Sequence, residues 1–261
     1  MSTLARAAFS AFRVSMRLRV VSPWAYLNWL VFPMIFAAVG LFVLSRPGAP
    51  ASHLTYGVLG GGLIGYWSVA YLDGGNGIQD ERWNGTLEQI FAVPTPLVVI
   101  LLGKVAGSLL FGILSFIPTV ALAYFGFHAL LPHVDALRFA ISLGVLSFTF
   151  FAIALTLTPL FALWRWAFQM LNGFELGVYV LCGFMFPVAI LAPWAQLIAG
   201  ALAPTWATRA LYASTTTEGA HDYSTWWFAA IAVSVAYLVA SYFLYRLVEK
   251  HARVSGDLAL A

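Results

Sequence analysis

Long uncharged stretches dominate the chain. Residues 20–45, 47–72, 105–134, 139–164, 176–208 and 223–245 contain no Asp, Glu, Lys or Arg. Each is long enough for a bilayer-crossing helix, which needs about 20 apolar residues. The runs are apolar on all sides, whereas strands of a membrane barrel alternate polar and apolar positions over roughly 10 residues. Lipid offers an open backbone no hydrogen-bond partner, so spans of this kind are helical. The pattern predicts an all-α membrane protein with six transmembrane helices, near 24–44, 55–73, 98–125, 139–163, 170–190 and 226–246.

Two stretches do not fit a plain span. The run 176–208 is too long for one crossing and contains Pro187, Pro193 and Pro204. Proline restricts its own backbone and that of the preceding residue. The expected solution is a span that ends near Pro187, followed over 187–209 by short re-entrant helices in the outer leaflet, tolerated where protein buries their backbone. The alternative is a plain apolar outer loop, which would face water at a cost. Residues 3–20 predict a helix lying on the membrane surface. At about 100° per residue, Arg6, Arg13 and Arg17 share one narrow sector. Phe9, Phe12 and Met16 flank it, with Leu4, Val14 and Leu18 further round, as in an N-terminal amphipathic interfacial helix. A simple positively charged anchor is the other reading.

Composition agrees with the pattern. The 261 residues are 62% hydrophobic and 9% charged, against roughly 45–50% and about 25% in soluble domains. No low-complexity linker or repeat divides the chain, so 1–261 is expected to form a single domain. The N-terminus carries Arg6, Arg13, Arg17 and Arg19 without a short apolar core behind them, unlike a cleavable signal peptide. With six spans, ten of the 13 Lys and Arg residues fall on one side and only Arg46, Arg138 and Arg209 on the other. The positive-inside rule then places both termini in the cytoplasm and residues 126–138 and 210–225 outside. The one cysteine, Cys182, lies in an apolar run and implies no disulfide framework.

The most polar stretch, 79–94, lies between the second and third spans on the cytoplasmic side. Thr86 followed by Gln89 matches a capping box, so Thr86 is expected to cap a short helix with Leu87, Ile90 and Phe91 on its apolar face and Pro94 limiting it. A connector that merely returns the chain is equally compatible with this chemistry. The string Glu81-Arg82-x-x-Gly85-Thr86-Leu87-Glu88, followed by Pro94, resembles the loop motif of type-2 ABC transporter permeases. Gly183-Phe184-Met185-Phe186-Pro187, then Leu191-Ala192-Pro193-Trp194, then Ala203-Pro204-Thr205 and Arg209, resembles that family's pattern before its last span. The similarity covers essentially the whole chain and is greatest to the drug-exporter and nodulation-type members. The entry sequence departs from the Trp-Arg-rich start of the O-antigen and teichoic-acid permeases.

This resemblance implies a permease subunit of an exporter in the bacterial cytoplasmic (inner) membrane. It would move a hydrophobic or amphipathic substrate (a drug, lipid or lipid-linked glycan) outward. ATP and Mg would be held by a separate ABC ATPase in two copies, with no cofactor on this chain. A second permease chain, the same or different, would complete the path in membrane lipid, with no nucleic acid involved. Glu81, Arg82, Gly85, Thr86, Leu87, Glu88, Ile90 and Phe91 would couple to the ATPase. The chain carries no G-x-x-x-x-G-K-[ST] phosphate loop. Gly60, Gly61, Gly62 and Gly65 sit in an apolar run without a following Lys-Ser or Lys-Thr, and are expected to let helices pack closely.

Glu175 is the one acidic residue well inside a span, which makes it a functional candidate by default. Asn172, Glu175 and Tyr179 share a helix face, and Gln169 extends it. Two readings stay open. The stripe lines the transport path or the partner interface, or Glu175 is a packing residue, neutral or paired with Arg165 or Lys104. Asp73-Gly74-Gly75-Asn76-Gly77 is expected to end a helix in turns. Trp24, Tyr26, Trp164, Trp166, Trp226 and Trp227 lie at span ends and suit anchoring in the interfacial belt. An enzyme is a poor fit, because the five histidines all fall in loops or at the terminus and no H-E-x-x-H or G-x-S-x-G occurs. An accessory membrane subunit without its own path is the other alternative.

Overall fold

The computed structural model describes residues 3–44, 51–86, 89, 95–128, 134–163, 171–215 and 222–255. Among these, every regular element is helical. Helix α1 is Thr3–Val21, and Ser22 separates it from α2, which runs from Pro23 to Leu44 with a π-helical turn at Leu27–Val31. Helix α3, Ala51–Ser68, continues as a π-helical turn, Val69–Gly74, and the short α4 follows at Gly77–Trp83. Helix α5, Leu97–Phe127, contains a 3-10 turn at Ile113–Ser115. Helix α6 is Ala136–Leu163 and α7 is Leu171–Leu181. After a 3-10 turn at Val188–Ile190 come two short helices, α8 (Pro193–Ala201) and α9 (Ala203–Ala213), and then the long α10 (Tyr223–Ser255).

Four helical stretches are long and apolar enough to cross a membrane: Pro23–Leu44, Leu97–Phe127, Ala136–Phe161 and Tyr223–Val248. The chain is a multi-pass membrane protein of all-α class. Two of the six expected spans fall outside this set for different reasons. In α3, glycines, tyrosines and Trp67 dilute the apolar character. The described part of α7 is only 11 residues long.

Helix α3 is the centre of the bundle. From Gly57 to Tyr71 every residue is buried, as expected of a helix enclosed by neighbours on all sides. Its glycines mark the closest approaches. A Cβ on Gly61 would lie 2.6 Å from the Pro33 carbonyl oxygen, and one on Gly65 would lie 2.1 Å from Pro33 Cγ. A Cβ on Gly62 would lie 2.4 Å from the Phe116 ring and one on Gly60 2.5 Å from the Phe184 carbonyl oxygen. Small residues thus let α2, α5 and the segment after α7 press on the α3 backbone. Beside this seam, Tyr66, Trp67, Tyr71, Phe150 and Phe184 form a buried aromatic core. Ring centroids are 4.9 Å apart for Tyr66–Phe150, 5.2 Å for Trp67–Phe150 and 5.5 Å for Trp67–Tyr71. Of the aromatic residues expected at the belt, Trp24 and Tyr26 are exposed, Trp226 and Trp227 are partly buried, and Trp164 and Trp166 lie outside the described residues.

The fifth expected span, α7, ends earlier than the sequence suggests. Gly183 takes a left-handed conformation (φ +70), its N–H donates to Val180 O at 3.3 Å, and Phe184 N–H donates to Tyr179 O at 3.2 Å. This is a Schellman cap with glycine in its usual place. The helix therefore stops at Leu181, and Pro187 only begins the next turn. Of the two short helices that follow, α9 is buried along nearly its whole length, while α8 exposes Trp194, Leu197 and Ile198. The expected segment 187–209 thus lies within a longer irregular region that runs from Gly183 to the end of α9.

Candidate functional site

The motif loop resolves into a closed turn on α4. Gly85 is left-handed (φ +66) with open space around its Cα. Gly85 N–H donates to Arg82 O at 3.2 Å and Thr86 N–H to Glu81 O at 2.9 Å. The pair is again a Schellman cap, so the spacing from Glu81 through Gly85 to Thr86 is that of a helix C-terminus. The Thr86 hydroxyl turns back as well, donating to Glu81 Oε2 and, at 3.3 Å, to Glu81 O. Thr86 thus closes the helix behind it, a contact that the expected capping box with Gln89 did not include. Gln89 is helical and exposed. Leu87, Glu88, Ile90, Phe91 and Pro94 lie outside the described residues. Arg82 is half-buried on the same turn.

Glu81 also reaches α5. Its Oε1 accepts from Lys104 Nζ at 2.5 Å, with both side chains 17% exposed. Lys104 Nζ donates a longer bond, 3.5 Å, to Gly77 O at the start of α4. Partial burial disfavours the Glu81 carboxylate. The hydrogen bonds from Lys104 and Thr86 and the charge of Lys104 outweigh that cost and hold its pKa below the ordinary carboxylate value.

The backbone of the same lysine receives α1. Lys104 O accepts from Ser15 Oγ at 3.2 Å and from Ser108 Oγ at 3.1 Å, and Arg19 donates to Ser108 Oγ at 2.6 Å. Gly103 and Gly107 let the helices touch: a Cβ on Gly103 would lie 2.1 Å from Ala8 O, and one on Gly107 3.1 Å from Ser15 Cβ. Helix α1 therefore docks through its small residues. Arg6, Arg13 and Arg17 stay exposed, as do Leu4, Phe9, Val14 and Leu18. Lys104 thus joins α1, α4 and α5 at one point, a role that sequence reasoning missed. The only signal was a lone cation at the start of a long apolar helix.

Glu175 has a different setting. Its Oε1 accepts from Ser68 Oγ at 2.6 Å and from the Tyr179 hydroxyl, and those two hydroxyl oxygens are 2.7 Å apart. Ser68 is the last residue of α3 before its π-helical turn, a type of distortion that recurs at functional sites. Lys104, one expected partner of Glu175, is engaged by Glu81 instead. Arg165 and Gln169 lie outside the described residues, as does the side chain of Asn172. The arrangement ties α7 to α3. Among the described residues, no three His, Cys, Asp or Glu side chains gather as a metal would require.

A cavity of about 500 Å³ lies at the other end of α3. Thr55 and Tyr56 at the start of α3 line it, together with Gly183 and Val188 before α8, and Thr208 and Arg209 on α9. Thr55 stands in the first turns of α3 and Ser68 at its last residue, so most of the length of that helix separates the cavity from the Glu175 cluster. The prolines flagged in the sequence frame this region: Pro187 is on its rim, and Pro193 and Pro204 open α8 and α9.

No family model matches the chain, and no curated protein matches it.

Proposed function

We propose that this chain is the membrane permease subunit of a bacterial ABC exporter, working with a separate ATPase and a second permease chain. The observation that carries the reading is the motif turn. Glu81, Gly85 and Thr86, residues on which the resemblance to type-2 permeases rests, converge on one capped turn held to α5 by Lys104. A rigid, polar turn at a helix end suits a surface that must transmit force to a partner.

In this reading α3 and α7 complete six spans with the four long apolar helices, and α8 and α9 re-enter the outer leaflet. Both termini and α4 face the cytoplasm, where Arg6, Arg13 and Arg17 on α1 meet anionic headgroups while Leu4, Phe9, Val14 and Leu18 sink into the interface. The segment from Leu87 to Phe91 seats in a groove of the ATPase, as an amphipathic helix does in a groove. The substrate is hydrophobic or amphipathic.

The test is co-expression with a candidate ABC ATPase subunit from the same genome. The two should co-purify and hydrolyse ATP faster together than the ATPase alone. Leu87→Asp or Glu88→Arg should abolish that stimulation while the permease still folds. Full stimulation and transport with both variants would refute the assignment. Labelling from outside intact cells should reach residues 210–225 and not position 84; labelling at 84 would invert the topology.

A further inference from the structure

The cavity between α3 and α9 has an unusual polar inventory. Two of its polar side chains are used by the fold. Gln196 Nε2 donates to Leu191 O at 2.8 Å and to Ala189 O at 3.2 Å, and the Tyr212 hydroxyl donates to Phe184 O. Two others are not. Thr55 and Thr208 are each 1% exposed, line the cavity, and among the described residues their Oγ1 atoms have no hydrogen-bond partner. A buried hydroxyl left without a partner costs about 1–3 kcal/mol, so two lining one cavity call for an explanation.

Arg209 supplies it. Among the described residues it is the only charged one lining the cavity. Its guanidinium carbon sits 5.1 Å from the Trp206 ring centroid, a cation–π contact. A guanidinium so placed still carries five N–H donors in its plane. Among the described residues Arg209 has no ion pair. Among the described residues the lining offers a cation, two hydroxyl donors and no carboxylate, a set that favours an anion. The lining also includes the buried Val188, the exposed Pro187 and Ala189, and Trp226. These residues suit a hydrocarbon tail leaving toward lipid.

We propose that this cavity is a binding site for the anionic head of an amphiphile, a phosphate or carboxylate carrying an acyl or alkyl chain. Arg209, Thr55 and Thr208 hold the head, and the chain exits past Pro187 and Ala189. The site stands apart from the permease reading, since binding needs neither ATP nor a partner.

The purified full chain in maltoside detergent is mixed with equimolar phosphatidylglycerol and phosphatidylcholine, and retained lipid is counted by native mass spectrometry. The anionic lipid should be retained preferentially. Arg209→Gln should lower its retention about tenfold, the loss of one charge-assisted contact. Thr55→Val and Thr208→Val should each lower retention while raising thermal stability in lipid-free detergent, because each removes an unpartnered hydroxyl at nearly constant volume. Arg138→Gln, at an exposed arginine paired with Asp135, should change nothing. Dodecyl phosphate should displace the lipid where inorganic phosphate at the same concentration does not.

Equal retention of the two lipids, or unchanged retention in the Thr55→Val/Thr208→Val double variant, would overturn the site even if Arg209→Gln fails to fold. Displacement by inorganic phosphate as effective as by dodecyl phosphate would overturn the amphiphile assignment. Selective retention by a chain that does not stimulate the ATPase would support this site and count only against the permease reading.

Discussion

Removing the Lys104 ammonium should unlatch α4 from α5. Lys104→Met keeps most of the stem and removes the charge, and Glu81→Gln keeps an acceptor and removes the opposite charge. Exposed ion pairs are worth about 0–1 kcal/mol, and breaking a fully buried pair costs about 3–5 kcal/mol. With both side chains 17% exposed and the Nζ–Oε1 distance 2.5 Å, the pair lies between these limits. A double-mutant cycle should therefore return a coupling of about 2 kcal/mol. The assay is unfolding of the purified chain by dodecyl sulfate titration in mixed micelles at neutral pH, for wild type, both single variants and the double.

The pH dependence has a fixed sign. Glu81 titrates below its ordinary value of 4.5 in the folded chain. Its contribution is complete above that pH and disappears as pH falls through the folded value. In Lys104→Met, burial is opposed by Thr86 alone, so the carboxyl titrates higher and stability begins to fall at a higher pH. Single-variant losses that simply add in the double variant, or an acid limb that does not move, would refute the latch.

The glycine seam predicts opposite outcomes for one substitution. Gly65→Ala places a methyl 2.1 Å from Pro33 Cγ and should cost about 3 kcal/mol or more. Gly177→Ala meets nothing within 4 Å and should stabilise α7 by up to about 1 kcal/mol; thermal melts of the two variants should move in opposite directions. Gly85→Ala should cost about 1–2 kcal/mol at its positive φ, while Gly85→Asn should cost less; limited proteolysis of the motif loop is the readout. Glu175→Gln keeps an acceptor for Ser68 and Tyr179 and should preserve folding and transport, whereas Glu175→Ala leaves those hydroxyls only each other, with one donor unpaired, and should cost about 1–3 kcal/mol. A severe transport loss in a well-folded Glu175→Gln complex would favour the path-lining role instead.

The helical class, the positions of α2, α5, α6 and α10, and the face shared by Glu175 and Tyr179 were all legible in the sequence, because periodicity and uncharged length are local properties. What escaped notice depends on contacts between distant residues. Ser68 reads as an unremarkable polar residue in an apolar run, and its partner lies 107 residues away. Lys104 looked like a cation near a membrane surface until folding brought α4 and α1 to it. Thr86 has the side chain of a cap in either direction, and its contact back to Glu81 follows from the left-handed Gly85 between them. The same chemistry stops α7 at Gly183, where the prolines further on drew attention away from the glycine. The burial of α9 was invisible because its sequence is no more apolar than that of the exposed α8.

The contact between α2 and α3 has a consequence for how molecules could enter the bundle. Along Gly61 and Gly65 the two helices meet largely through main-chain atoms and the small groups of Pro33 and Ala37. A boundary built from side chains can open by rotamer changes that let a guest slip between helices. Main chain has no such hinged parts, so this boundary opens only if whole helices separate. A molecule arriving sideways from the bilayer finds that flank shut, and lateral admission to the interior falls to the faces where longer side chains form the wall.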